Sequence, residues 1–183
     1  RFCVGVPIYN RINLSDRDTS GMFVSTLPFI NRIDEDWTFS RFTEEVMINW
    51  YDLLRHQRLP FAEIMEMAAL SGGGERQLSE LAFSFQSSRI YANKEASVSF
   101  SGEWHYSGYQ AEQLCIHLSN MEEDNRFRVN YDYRTQLFSE KNIADLHKYL
   151  TTILTRALAD PERPLSELSM VDAAEEEQVV YEF

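Results

Sequence analysis

Cysteine, glycine and proline are all scarce in this chain, and each shortage excludes something. Two cysteines in 183 residues, Cys3 and Cys115, cannot make a disulfide framework, and neither has a metal-ligand spacing to another Cys or His. Both sit in strand-like contexts and read as buried free thiols. Seven glycines and five prolines exclude a collagenous or low-complexity chain. The apolar runs fall far short of the ~20 residues a membrane-spanning helix needs, and no signal-peptide pattern opens the chain. A soluble cytoplasmic protein is the expectation. Positive charge is the other shortage: 17 Lys and Arg face 29 Asp and Glu, a formal charge of −12. Nucleic-acid affinity is built from cations on phosphates, so that balance works against a DNA or RNA partner. Much of the acidity is local, at Glu122, Glu123 and Asp124 and again at Asp172, Glu175, Glu176, Glu177 and Glu182, and reads as solvated turn and tail.

What is present suits one sizeable core: 44% of the residues are hydrophobic and 13% aromatic. Phe2, Val4 and Val6 alternate with Cys3 and Gly5 as a strand with no polar leader, which predicts further chain upstream. Residues 12–20 read as a polar loop and 21–33 as a second strand with two apolar faces, in which Pro28 marks an edge or an irregularity. From Thr38 to about His56, Phe39, Phe42, Val46, Trp50 and Leu53 recur at helical spacing. Pro60 is suited to begin a further helix reaching about Leu70, ended by Gly72-Gly73-Gly74. Strand alternation returns at Leu81, Phe83 and Phe85, at Leu114, Ile116 and Leu118, and at Phe127, Val129, Tyr131 and Tyr133, the last two runs predicting a hairpin. A last helix is capped by Ser139, striped by Ile143, Leu146, Leu150, Ile153, Leu154 and Leu158, and stopped at Asp160-Pro161. Beyond it Leu165, Leu168 and Met170 are candidate anchors. Strands mixed with about three helices, without βαβ repetition, predict an α/β or α+β two-layer fold with a mixed sheet.

The four histidines are the first place to look for acid or base chemistry. His56 ends a helix, where a cation suits the free carbonyls; His147 lies beside the last helical stripe; His105 lies between Trp104 and Tyr106; His117 lies in a strand. None has a Ser, Cys or carboxylate at a recognisable catalytic spacing, and there is no His-Glu-x-x-His or paired-Cys metal pattern. The three glycines follow a helix instead of opening one and lack the Lys-Ser/Thr of a phosphate loop. No catalytic residue and no metal ligand is assigned within the chain.

Two segments carry the functional reading: Gly21-Met22-Phe23-Val24-Ser25-Thr26-Leu27-Pro28-Phe29-Ile30 and His56-Gln57-Arg58-Leu59-Pro60-Phe61. Before them stands Val4-Gly5-Val6-Pro7-Ile8-Tyr9-Asn10-Arg11; after them come Ala82-Phe83-Ser84-Phe85-Gln86, Tyr131-x-Tyr133 with Leu137-Phe138, Ala159-Asp160-Pro161 and Leu165-Ser166-Glu167-Leu168. In order and spacing this set resembles the C-terminal lobe of the condensation domain of nonribosomal peptide synthetases. Ser25 stands where that family usually has Asn, and the family's His-His-x-x-x-Asp-Gly motif has no counterpart in the chain.

The resemblance implies one lobe of a chloramphenicol acetyltransferase-like fold, residues 1–169, followed by the start of a linker to an adenylation domain, residues 170–183. It implies peptide-bond formation between a donor thioester and an acceptor amine, each carried on the phosphopantetheine arm of a peptidyl carrier domain, with no cofactor bound to the lobe itself. The partners it implies are the N-terminal lobe, the carrier domains and the following adenylation domain, with no membrane. Met22, Val24, Ser25, Thr26, His56 and Gln57 become candidates for the tunnel wall and lobe interface. The segment from about Ser87 to Gln110, with Tyr91, Phe100, Trp104 and Tyr106, becomes the candidate for a crossing element. Asn10 and Arg11 become active-site organisers, Arg11 pairing with the aspartate of the absent motif and standing exposed or paired opportunistically without it. Two alternatives remain. An epimerization domain shares the fold but is expected to have Gly-Trp-Phe where Gly21-Met22-Phe23 stands, and a non-catalytic carrier-binding module is compatible with the absent motif.

Overall fold

A computed structural model describes residues 1–70, 79–87, 105–120, 126–171 and 175. Ten elements follow one another: β1 (Phe2–Ile8), α1 (Leu14–Asp18), β2 (Ser25–Asn31), α2 (Phe39–Arg55), α3 (Phe61–Leu70), β3 (Leu81–Gln86), β4 (Leu114–Ser119), β5 (Arg128–Tyr133), α4 (Glu140–Ala159) and a 3-10 turn, Leu165–Glu167. The strands form one mixed sheet in the order β2-β1-β3-β4-β5. β1 runs parallel to β3 with Gly5 opposite Ala82, β3 runs parallel to β4, and β4 pairs antiparallel with β5, the hairpin expected from the alternation. β2 ends the sheet order, which is where a strand interrupted by Pro28 can sit without spoiling a central ladder.

The chain divides into two compact units. One comprises Arg1–Phe2, Ile30–Arg55 and Phe138–Phe183. Here α2 starts at Thr38, whose Oγ1 accepts from Arg41 N at 3.1 Å. Its first turn is tied to the chain that follows α4: Ser40 N donates to Pro161 O at 2.9 Å, Leu165 N to Trp37 O at 2.8 Å and Ser166 N to Glu35 O at 3.0 Å. α4 opens with a reciprocal cap between Ser139 and Asn142 and buries Ile143 and Ala157. Leu154 and Leu158, expected on the apolar stripe, are exposed. Leu168 is buried and Arg156 holds the neighbouring Ser169 carbonyl at 2.7 Å, whereas Met170 is exposed.

The other unit comprises Cys3–Phe29 and His56–Leu137 and holds most of the sheet. Its buried residues among those described include Gly5, Ile8, Leu27, Ala82, Ser84 and Cys115. Gly5 is required by close approach: a Cβ there would lie 2.9 Å from Ser79 Oγ and 3.2 Å from Thr26 Cγ2. The central strand β3 reverses the ordinary pattern, burying Ala82 and Ser84 while Phe83 and Phe85 are 37% and 54% exposed. Pro60 starts α3 as expected, its carbonyl accepting from Glu63 and Ile64 N. The expected strand over 21–33 is shorter, Ser25–Asn31, and the expected polar loop 12–20 contains the short helix α1. Among the described residues no helix is long and apolar enough to cross a membrane. Gly72-Gly73-Gly74 and the acidic cluster 122–124 lie outside the described residues, as does most of the segment 170–183.

Candidate functional site

Asn10 follows β1 with φ at 54°, a left-handed conformation that Asn tolerates better than most residues. Its Oδ1 is buried and has no hydrogen-bond partner among the described residues. The turn it makes delivers Arg11 into a loop that closes on the arginine. Arg11 Nη1 donates to the carbonyls of Asp16 and of Thr19, the latter at 2.6 Å, and Nη2 donates to the Gly21 carbonyl at 2.8 Å. The guanidinium carbon lies 4.0 Å from the centroid of the Phe23 ring and 5.5 Å from that of Tyr9. Arg11 is therefore half-buried and bonded to backbone, not a side chain displayed to solvent.

Asp16 is the second centre of this loop. Its Oδ2 accepts from Ile12 N at 3.1 Å and Asn13 N at 3.3 Å, while Asp16 N donates to Asn13 Oδ1 at 2.8 Å, closing a capping box that starts α1. Arg58 Nη2 reaches the same Oδ2 at 3.3 Å. Desolvation opposes ionisation of Asp16, but the Asn13 and Ile12 N–H groups and the Arg58 guanidinium outweigh it and hold the carboxyl below the usual range. The loop after β1 and the His56–Phe61 segment thus meet through Asp16 and Arg58, a pairing that no local pattern announces. The Asn13-x-x-Asp16 spacing is the signal that marks the cap.

The remaining candidates are placed as follows. Met22 is 91% exposed and Val24 is also exposed, on the segment that leads from the Arg11 loop into β2. Ser25 and Thr26 open β2 and are half-buried. His56 is exposed just beyond α2, its carbonyl accepting from Leu59 N at 3.0 Å, and Gln57 is half-buried. Tyr106 is exposed, while Tyr91, Phe100 and Trp104 lie outside the described residues.

His117 gains neighbours that sequence spacing does not reveal. Its Nε2 lies 3.2 Å from Asp132 Oδ2 and its Nδ1 is 4.0 Å from Cys115 Sγ. Strand register explains this: Cys115 faces Asp132 across β4 and β5, and His117 stands one step along the same face. Burial pushes the Cys115 thiol up, which keeps it protonated and poorly nucleophilic at neutral pH. Among the described residues no group of three His, Cys, Asp or Glu side chains could hold a metal ion.

Comparison with known proteins extends over almost the whole chain. The family model described as "Condensation domain" matches residues 1–180. Surfactin synthase subunit 1 of Bacillus subtilis (strain 168) is 29% identical over 176 residues, covering 96% of the chain and 5% of that protein. Tyrocidine synthase 3 of Brevibacillus parabrevis is 30% identical over 184 residues, covering 98% of the chain and 3% of that protein. Among solved structures, a holo four-domain nonribosomal peptide synthetase bound to AMP and glycine superposes with a TM-score of 0.76 at 21% identity, over 96% of the chain and 14% of that protein. The first condensation domain of the CDA synthetase superposes with a TM-score of 0.68 at 19% identity, over 93% of the chain and 38% of that domain structure.

Proposed function

Because this chain belongs to the condensation-domain family, we propose that it supplies one lobe of a peptide-bond-forming condensation domain in a nonribosomal peptide synthetase. The observation that carries the reading is the match of residues 1–180 to that family, together with relatives that are peptide synthetases. In this reading the chain is one lobe of a chloramphenicol acetyltransferase-like fold, residues 1–169, with 170–183 beginning a linker toward an adenylation domain. The lobe forms one wall of a tunnel in which an acceptor amine attacks a donor thioester. Both substrates arrive on phosphopantetheine arms of carrier domains. The chain binds no cofactor of its own in this scheme and works in the cytoplasm.

Three features support a wall rather than a catalytic centre. The chain has no His-His-x-x-x-Asp-Gly motif. His117 lies beside a carboxylate and a thiol, and that thiol is buried and its pKa raised. The open face of β3 at Phe83 and Phe85, and exposed Met22 and Val24 beside the Arg11 loop, give the lobe apolar surface of the kind a substrate channel or a second lobe covers. Asn10 and Arg11 organise the site, and Met22, Val24, Ser25, Thr26, His56 and Gln57 line or border it. The crossing element is the segment 87–110.

The test is reconstitution. Loaded donor and acceptor carriers are mixed with the complete condensation domain containing this chain, and separately with the 183-residue chain. The complete domain forms the dipeptidyl thioester and the chain alone forms none above background. Product from the chain alone that disappears on His56→Ala or His117→Ala would overturn the assignment.

A further inference from the structure

We propose that residues 161–168, which follow α4, form a reversible clasp on the start of α2, so that the first turn of that helix and the stretch after α4 open and close as one element. Both sides of the clasp belong to the same compact unit. The proposal stands on hydrogen bonding within that unit and not on the condensation reading.

A helix begins with N–H groups that its own turns cannot satisfy. In α2 the Arg41 N–H goes to Thr38 Oγ1 at 3.1 Å, but the Ser40 N–H goes to the Pro161 carbonyl, 2.9 Å away on the far side of α4 in the chain. The Ser40 hydroxyl also donates to Glu162 Oε1. In return the later segment donates to the earlier one, Leu165 N to Trp37 O at 2.8 Å and Ser166 N to Glu35 O at 3.0 Å, and Thr38 and Pro164 form an antiparallel bridge. The donors are divided to suit. Pro161 and Pro164 have no N–H, and those of Arg163, Glu167 and Leu168 are used locally on the Asp160, Pro164 and Leu165 carbonyls.

Each side of the clasp is ordered by bonds of its own. In the receiving turn Trp37 N donates to Asp34 O at 3.1 Å and Asp36 N to Asp34 Oδ1 at 3.3 Å, while the guanidinium carbons of Arg32 and Arg41 lie 5.1 and 5.9 Å from the centroid of the Trp37 ring. On the other side Leu168 is buried and Arg156 Nη1 holds the Ser169 carbonyl at 2.7 Å, which anchors the stretch to α4. Between these anchors Pro161, Glu162 and Ser166 are exposed, so water competes for the bonds that cross. A contact of that kind opens at lower free energy than a helix interior. By linkage, whatever displaces the stretch after α4 loosens the start of α2, and the reverse.

The test removes one clasp donor and reads the other side. Leu165→Pro deletes the N–H that Trp37 accepts and suits the local backbone: Pro164 has φ −56° and ψ 142°, the conformation a residue before proline adopts, and position 165 is the first of the 3-10 turn. Leu165→Ala removes the same side chain and keeps the N–H. In the 183-residue chain, amide hydrogen exchange resolved by NMR should be about fivefold faster in Leu165→Pro than in Leu165→Ala, at Ser40 and at Ser166 alike, with β3–β5 unchanged. Ser40→Ala and Glu162→Ala break one bond from its two ends and should speed exchange at Leu165 and Ser166 by a common factor; they decide the question if Leu165→Pro does not fold. Faster exchange at Ser166 with Ser40 unchanged in Leu165→Pro would overturn the clasp and leave separate local contacts. Wild-type exchange at Leu165 and Ser166 in both Ser40→Ala and Glu162→Ala would overturn it as well.

Discussion

Replacing Leu27 by Ala tests whether the strand 25–31 is held by burial or only by its ladder. Leu27 is 1% exposed, the largest fully buried side chain among the described residues. Truncation removes three carbons, and at ~0.8 kcal/mol each the lost transfer energy is about 2.4 kcal/mol. A closely packed surround collapses only in part, and the residual cavity raises the total to about 3–4 kcal/mol. For a chain of this size each kcal/mol lowers Tm by about 2–4 °C, so Leu27→Ala should melt about 6–16 °C below wild type. The assay is thermal and urea unfolding followed by circular dichroism, with Met22→Ala as control. Met22 is 91% exposed in the same motif and its truncation should cost less than about 0.5 kcal/mol. A Leu27→Ala protein melting within about 2 °C of wild type would refute the reasoning, because no buried Leu in a closed site is lost so cheaply.

Gly5→Val should destabilise by at least about 1–3 kcal/mol, since the stiff side chain of Thr26 cannot yield as readily as the Ser79 hydroxyl; a urea midpoint equal to wild type would contradict it. Ser139→Ala removes the cap of α4 and should cost about 1 kcal/mol, read as a lower urea midpoint, with no loss in a Ser139→Asp control. The lowered pKa of Asp16 means that its contribution to stability is present above its unfolded value and lost as pH falls through the lower folded value. Between about pH 4 and the folded pKa, wild type should therefore lose more stability on acidification than Asp16→Asn, and parallel acid limbs in the two proteins would remove Asp16 as a paired carboxylate. Cys115, 4% exposed and with its thiol pKa raised by burial, should resist alkylation at neutral pH until the protein is unfolded, and stoichiometric labelling of the native chain at Cys115 would show that β4 opens.

The three longer helices and most strands were legible because their signals are local. Steps of three and four between Phe39 and Leu53, the Ser139 cap and the Asp160-Pro161 stop act within one or two turns, and the helices end where those signals lie. The motif order likewise needed only the chain itself, and the family match over 1–180 agrees with it. The strand over 21–33 came out short at its start because Gly21, Met22 and Phe23 are drawn toward Arg11, by the Gly21 carbonyl and the Phe23 ring, and not into a ladder. In β3 alternation says which residues share a face, and tertiary packing says which face is covered.

By itself the sequence determined the long helices and the strands, the caps and breaks of α3 and α4, the acidic composition and the family, all properties carried by neighbours along the chain, while the short helix α1 went unread. The tertiary structure decided the strand order, the edge position of β2, the meeting of Cys115, His117 and Asp132 through register, and the joining of Asp16 to Arg58 across the chain. The physical reason is that periodicity encodes a residue's direction relative to its own element, while a contact between distant residues depends on the path of everything between them. Arg11 shows both: its place after β1 was readable, but its three carbonyl partners exist only because Asn10 turns left-handed and the loop closes back on the guanidinium.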